Sequence, residues 1–96
     1  EVFYWASSLK GSKAAENILQ KLKGTFPNNI NRGAKQRNST AQRGGRFLKE
    51  LKAPALMLEP FFGSSQREWE FFKNKENKTH LAKAIASGIT SSVSLW

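Results

Sequence analysis

Hydrophobic positions along this chain gather into short blocks separated by polar stretches, and the spacing inside each block predicts an element. Val2 to Trp5 is β-branched and aromatic and closes at a Ser/Gly cluster, which predicts a short strand buried on at least one face. Ala15, Ile18, Leu19 and Leu22 fall on one helical face, with Ser12 as the cap, Glu16 in the first turn and Gly24 as the stop. From Thr25 to Gln42 the composition turns to Asn, Gly, Lys, Arg and Gln, broken by Pro27 and Gly33 and without apolar period. That stretch predicts a long irregular loop, a kind that in a compact domain is either functional or disordered.

Beyond Gly44-Gly45, residues Phe47, Leu48 and Leu51 fit a helical turn or an edge strand equally well. Pro54 introduces Ala55 to Glu59, almost purely apolar, the pattern of a strand buried on both faces and central in its sheet. Ser65-Gln66-Arg67-Glu68 is a capping box for a short helix carrying Trp69, Phe71 and Phe72. A last helix over 78–88 is expected to bury Leu81, Ala82, Ile85, Ala86 and Ile89. The order of elements implies an α/β fold, a three-layer-type sheet with flanking helices, without internal repeat.

Length and charge narrow the classes. At 96 residues the chain holds one small domain with a thin core. Sixteen Lys and Arg against seven acids, all Glu, leave a net charge of +9, while 39% hydrophobic residues and eleven aromatics are too many for a disordered basic tail. Without Cys there is neither a disulfide framework nor a zinc ribbon. The longest apolar run, Ala53 to Leu58, is far short of the ~20 residues that cross a bilayer. The start at Glu1 has neither the basic nor the apolar region of a signal peptide, and the missing initial Met suggests part of something longer.

Among candidate chemical groups Glu59 is the most informative, a carboxylate that ends an apolar strand just before Pro60, Phe61 and Phe62. Open α/β sheets bind ligands at the carboxyl ends of their strands, and apolar surroundings raise a carboxyl pKa towards the range of a general acid or base. The alternative is a Glu that points sideways into a structural ion pair with a basic neighbour such as Arg32 or Arg46. His80, the single histidine, has no Asp or Cys for company and is expected in a solvated turn, so the chain does not assemble a zinc site by itself. No G-x-S-x-G turn and no phosphate-loop spacing occur. The 32–52 basic loop region holds seven cations and one acid, Glu50, and would attract a polyanion such as nucleic acid or teichoic acid, or else merely solvate the surface. Nucleic acid is disfavoured, because Phe47 is the one stacking aromatic in that region and no nucleic-acid-binding motif is present.

Several blocks together carry a resemblance. Asn31-Arg32-Gly33-Ala34-Lys35, then Phe47 to Leu51, then Pro54-Ala55-Leu56-Met57-Leu58-Glu59-Pro60-Phe61-Phe62-Gly63-Ser64 resemble the closing half of the zinc-dependent N-acetylmuramoyl-L-alanine amidases of the amidase_3 family. The opening Glu1 to Trp5, the Glu68-Trp69 turn and the terminal Leu81 to Ile89 helix are similar to that family in the same order. The Phe-Tyr-Trp variant is similar to phage and prophage lysins.

The resemblance implies that the chain is the C-terminal portion, 1–96, of such a catalytic domain, with a central strand over 53–62 and two terminal helices over 65–89. It implies a peptidoglycan hydrolase in which Glu59 is the catalytic acid/base and Arg32 a substrate-binding arginine near the site. It further implies action at the bacterial cell wall, in the periplasm or after secretion or phage release. The family's zinc is held by two His and one Glu upstream of the first strand. None of the three occurs here, so zinc would belong to the parent domain and the isolated chain is expected to be inert. A half domain would also leave an open sheet edge prone to self-association.

Overall fold

The apolar block at the start of the chain forms β1 (Val2–Trp5), flanked by β2 (Ala34–Arg37) and β3 (Leu56–Leu58) in a sheet ordered β2-β1-β3. The computed structural model describes residues 1–29, 32–61 and 64–96. Asn31, Phe62 and Gly63, which carry part of the family resemblance, lie outside the described residues. β1 pairs parallel with β2, Val2 opposite Ala34, and antiparallel with β3, Val2 opposite Leu58. The mixed α/β class and the flanking helices follow the expectation. Among the described residues β1 lies between the other two strands, and β3 is half-buried with no described strand on its far side. The expected 53–62 strand shortens to three paired residues.

The stretch expected to be an irregular loop contains β2, whose Lys-Gln-Arg sequence shows no apolar alternation. A parallel neighbour supplies its order instead. Val2 N–H donates to the Gly33 carbonyl at 3.2 Å and Ala6 N–H to the Arg37 carbonyl at 2.9 Å, so the ladder is held at both ends.

Helix α1 (Leu9–Thr25) begins earlier than Ser12. Ser8 is its cap, and its hydroxyl accepts from the Gly11 N–H at 3.0 Å. Glu16 therefore lies within the helix and not in its first turn, and the helix passes Gly24 to end when Phe26 N–H reaches the Leu22 carbonyl. Its apolar face is the expected one: Ala15, Ile18 and Leu19 pack with Val2 on the sheet face that also presents Tyr4, Ala34, Leu56 and Leu58.

The final helix, α4, runs Lys75–Val93 and is capped by the Asn74 side chain, which accepts from the N–H groups of Glu76 and Asn77. Its inward face is only partly the one expected, since Ile85 does pack against the core. Ala84, Gly88 and Ser92 are buried, Leu81 and Ile85 are half-buried, and Ala82, Ala86 and Ile89 are exposed. Backbone proximity is the reason. A Cβ added at Gly88 would stand 2.6 Å from the Ile18 Cα, so α1 and α4 touch across small residues and larger side chains are displaced to the flanks. Asn17 Nδ2 donates to Ser92 Oγ at 3.0 Å and Ser92 Oγ donates to the Gly88 carbonyl at 2.8 Å, which satisfies the one polar side chain buried at the seam.

Two short helices complete the molecule. Phe47, Leu48 and their neighbours form α2 (Gly45–Glu50), resolving the choice between turn and edge strand, with Leu48 buried and Phe47 exposed. The Ser65 half of the expected capping box is in place: its hydroxyl accepts from the Glu68 N–H at 3.3 Å and opens α3 (Gln66–Phe72). Phe61 stacks on Phe72 at 4.8 Å between ring centres, and Phe26 meets Phe71 and Phe72 edge-on. This aromatic group pins the exit of β3 against α3 and the end of α1.

Candidate active site

Alternation along the strands sorts the site residues. With Val2 and Tyr4 turned to α1, the odd positions Glu1, Phe3 and Trp5 share the opposite face, together with Lys35 and Arg37 of β2 and Met57 and Glu59 of β3. Glu1 and Glu59 extend the β1/β3 ladder by one pair. Glu1 N–H donates to the Glu59 carbonyl and Glu59 N–H to the Glu1 carbonyl, each at 2.9 Å. Two residues that exchange both bonds present their side chains on the same face. The two carboxyl groups are within hydrogen-bonding reach of one another.

Each carboxylate has a cation of its own. Lys35 Nζ lies 3.1 Å from Glu1 Oε1, and Arg43 Nη2 lies 2.7 Å from Glu59 Oε1. The glutamate side chains are only 9% and 17% exposed, against 80% for Arg43, so the carboxylates sit in the protein while Arg43 reaches Glu59 from the water side. Arg43 belongs to the segment that leads into α2. Arg37 Nε donates to its carbonyl at 3.0 Å, and the Arg37 guanidinium rests over the Phe3 ring at 4.1 Å. The next residue, Gly44, has φ +78° and stands against the Met57 thioether; this left-handed turn lets the arginine segment lie down on β3.

Burial alone would raise the Glu1 carboxyl. Hydrogen bonds from Lys35 and Glu59, with the charges of Lys35 and the α-amino group, outweigh it and hold Glu1 below the ordinary carboxylate range. Withdrawal from water is the main cause that lowers the α-amino group, and the charge of Arg32 adds to it. Arg32 thus lies at the same end of the sheet, exposed, just ahead of Gly33. An apolar cleft lined by Leu19, Leu22, Phe26, Pro60 and Phe72 reaches Glu1 from the side of α1.

One sequence expectation is sharpened here and another changes. Glu59 does form an ion pair with a basic neighbour, but that neighbour is Arg43, while Arg46 reaches Glu50 at 3.8 Å within α2. Nor does Glu59 mark the carboxyl ends of parallel strands. β3 runs antiparallel to β1, so its carboxyl end meets the beginning of the parallel pair, and the site lies where β1 starts. Glu1, Lys35 and Arg43 were not singled out from the sequence. The odd-position face of Glu1, Phe3 and Trp5 was the available signal, but it points to Glu59 only once the β1/β3 register is known.

A metal finds no ready set of ligands. Among the described residues no three His, Cys, Asp or Glu side chains cluster, and the two carboxylates that do meet are each engaged by a cation. His80 is exposed on α4, away from the strands. The residues present do not by themselves fit a zinc ion.

Comparison with known proteins gives the geometry a context. The sequence model of a family described as Amidase_3, N-acetylmuramoyl-L-alanine amidase, matches residues 1–91. No curated protein matches the chain. Among solved structures, the CwlD amidase from Clostridioides difficile, solved in complex with the GerS lipoprotein, superposes with a TM-score of 0.84 at 23% identity. The match covers 100% of this chain and 46% of that one, so the chain spans about half the length of that relative and shares its fold.

Proposed function

The chain belongs to the Amidase_3 family, and from that premise we propose that it supplies the catalytic carboxylate of a peptidoglycan hydrolase cleaving the amide between the lactyl group of N-acetylmuramic acid and L-alanine. The observation that carries this reading is Glu59, a shielded carboxylate at a strand end with one oxygen fixed by Arg43 at 2.7 Å. In this reading the carboxylate exchanges a proton with water. As general base Glu59 takes the proton of the attacking water while the oxygen bonds to the amide carbon. As general acid it returns that proton to the alanine nitrogen as the C–N bond breaks. Arg32, exposed at the same end of the sheet, is the substrate-binding cation of this reading.

Zinc enters the reading only through the family. The described residues do not provide a ligand set, so the metal would be held by residues other than these, and the 96-residue chain by itself is inert. Peptidoglycan as substrate puts the action in the bacterial cell wall, reached by secretion or by release from a phage. No described helix is long and apolar enough to cross a membrane. The outer margin of β3 would pair with another strand, from the remainder of the domain or from a second copy.

Binding of a polyanion by the basic region has less support, because most of its cations are already engaged. Lys35, Arg43 and Arg46 face Glu1, Glu59 and Glu50, and Arg37 and Lys49 lie over Phe3 and Trp5.

The test is release of L-alanine-bearing peptide from peptidoglycan in the presence of zinc, by this chain and by a form extended upstream to complete the domain. Activity in the extended form that disappears with Glu59→Gln is the expected result. Zinc binding without cleavage by the extended form would reduce the resemblance to one of fold alone.

A further inference from the structure

We propose that the groove between the end of α1 and the corner joining α3 to α4 is a binding subsite for an N-acetylhexosamine unit of a glycan strand. Its walls are far apart in sequence. Phe26, Pro27 and Asn28 form one, and Arg67, Phe71 and Asn77 the other, around a hollow of about 630 Å³, within the roughly 300–1,000 Å³ range of small-molecule sites. Arg67 Nη2 donates to the Asn28 carbonyl at 2.9 Å and ties the walls together. Edge-on contacts with Phe26 at 5.5 Å and with Phe72 at 4.9 Å hold the Phe71 ring, and Asn77 Nδ2 donates to the Phe71 carbonyl at 2.8 Å. The groove is thus shaped before a ligand arrives.

Its chemistry selects a sugar. Phe71 is 37% exposed, and its ring gives the C–H face of a pyranose an apolar surface to cover. Around it stand primary amides with bonding capacity left over. Asn74, also in the groove, spends its oxygen on the cap of α4, and Asn77 spends its nitrogen on Phe71. An amide NH2 and an amide oxygen remain, and Arg67 uses only the backbone of Asn28, not its side chain. Hydroxyl and acetamido groups donate and accept in the same way as these amides. The charged groups in the walls are Arg67 and Glu70, one of each sign, and Glu70 is already engaged by Lys73 at 2.8 Å and Gln66 at 2.9 Å. A neutral ligand therefore fits better than the carboxylates of a stem peptide. The apolar cleft that reaches Glu1 shares Phe26 and Asn29 with this groove, so a glycan seated here leads towards the Glu59 end of the sheet. The proposal rests on the hydrolase reading for the use of that path, and on the groove itself for the binding.

The experiment titrates the full 96-residue chain with the N-acetylglucosamine tetramer and follows backbone and side-chain amide signals by NMR. Shifts should be confined to residues 26–29 and 67–77. Asn28→Ala should weaken binding about 2- to 10-fold, the share of one neutral hydrogen bond. Phe71→Leu, which keeps apolar bulk but removes the ring, should weaken it at least as much; where that variant fails to fold, Asn28→Ala decides. No saturable shift at millimolar tetramer, shifts centred elsewhere, an affinity untouched by Asn28→Ala, or tighter binding of the dipeptide L-alanyl-D-isoglutamine in the same groove would overturn the proposal. Binding is read without cleavage, so its failure and a failure to cut peptidoglycan are separate results.

Discussion

Glu59 and Glu1 sit side by side, but their expected phenotypes differ. In the completed domain Glu59→Gln should lower turnover by about 10²- to 10⁴-fold, the usual contribution of a general acid/base, with the fold retained. Arg43→Met should cost less, since it removes the restraint on one Glu59 oxygen and not the proton acceptor; comparing kcat for the two variants checks the order. Glu1 makes its own mark on stability. Because folding lowers the Glu1 pKa, the unfolded chain binds that proton more tightly. The stabilisation is therefore complete above the ordinary value of 4.5 and is lost as pH falls through the folded value. Lys35→Met removes much of the cause. Denaturant midpoints of the variant and the unmodified chain should be separated near neutrality and converge in acid, and a gap that persists at low pH would contradict the assignment.

At the scale of elements, helix contacts make a sharp contrast between two glycines. Gly88→Ala places a methyl 2.6 Å from the Ile18 Cα, which backbone cannot yield without moving α1 from α4, and should destabilise by about 1–3 kcal/mol, the range for overpacking. Gly24 has nothing within 4 Å of such a methyl, so Gly24→Ala should gain roughly 0.5–1 kcal/mol from helix propensity. Thermal unfolding of the two variants against the parent measures both signs. The same seam explains what the sequence could reveal. The α1 face was legible because Ala15, Ile18, Leu19 and Leu22 meet a sheet and need bulk. In α4 the buried row is Ala84, Gly88 and Ser92, which permits the close approach, so bulk located only the half-buried Leu81 and Ile85 on its flank. β2 escaped because Lys35 and Arg37 serve the acidic and aromatic groups of β1 on a face where apolar residues would do nothing. Glu59 stood out as a charge at the end of an apolar run. Glu1, one residue before such a run, has its meaning only through a partner 58 residues away.

Across the whole molecule, two properties oppose one another. The Glu1/Glu59 and Phe3/Met57 pairs are those in register to exchange ladder bonds, so by alternation the N–H groups of Leu56 and Leu58 point away from β1, to a margin with no strand beside it among the described residues. An apolar hollow lined by Pro54, Leu56, Leu58, Ile89 and Trp96 adjoins that margin, and an unspent strand edge with apolar surroundings favours pairing with a second copy. Net charge acts the other way, since two copies each at +9 repel. Repulsion between exposed charges is screened beyond about 10 Å at 0.1 M salt, whereas strand pairing is a short-range contact that salt leaves in place. Light scattering should therefore show a mass that rises with protein concentration and rises further with added salt. Ile89→Lys, on an exposed helix position beside the hollow, should shift the equilibrium back to monomer and leave the melting temperature unchanged only at concentrations where the parent is itself monomeric. A monomeric mass at every concentration and salt would mean that the margin of β3 is closed by the molecule itself, and the idea of pairing between copies would fall.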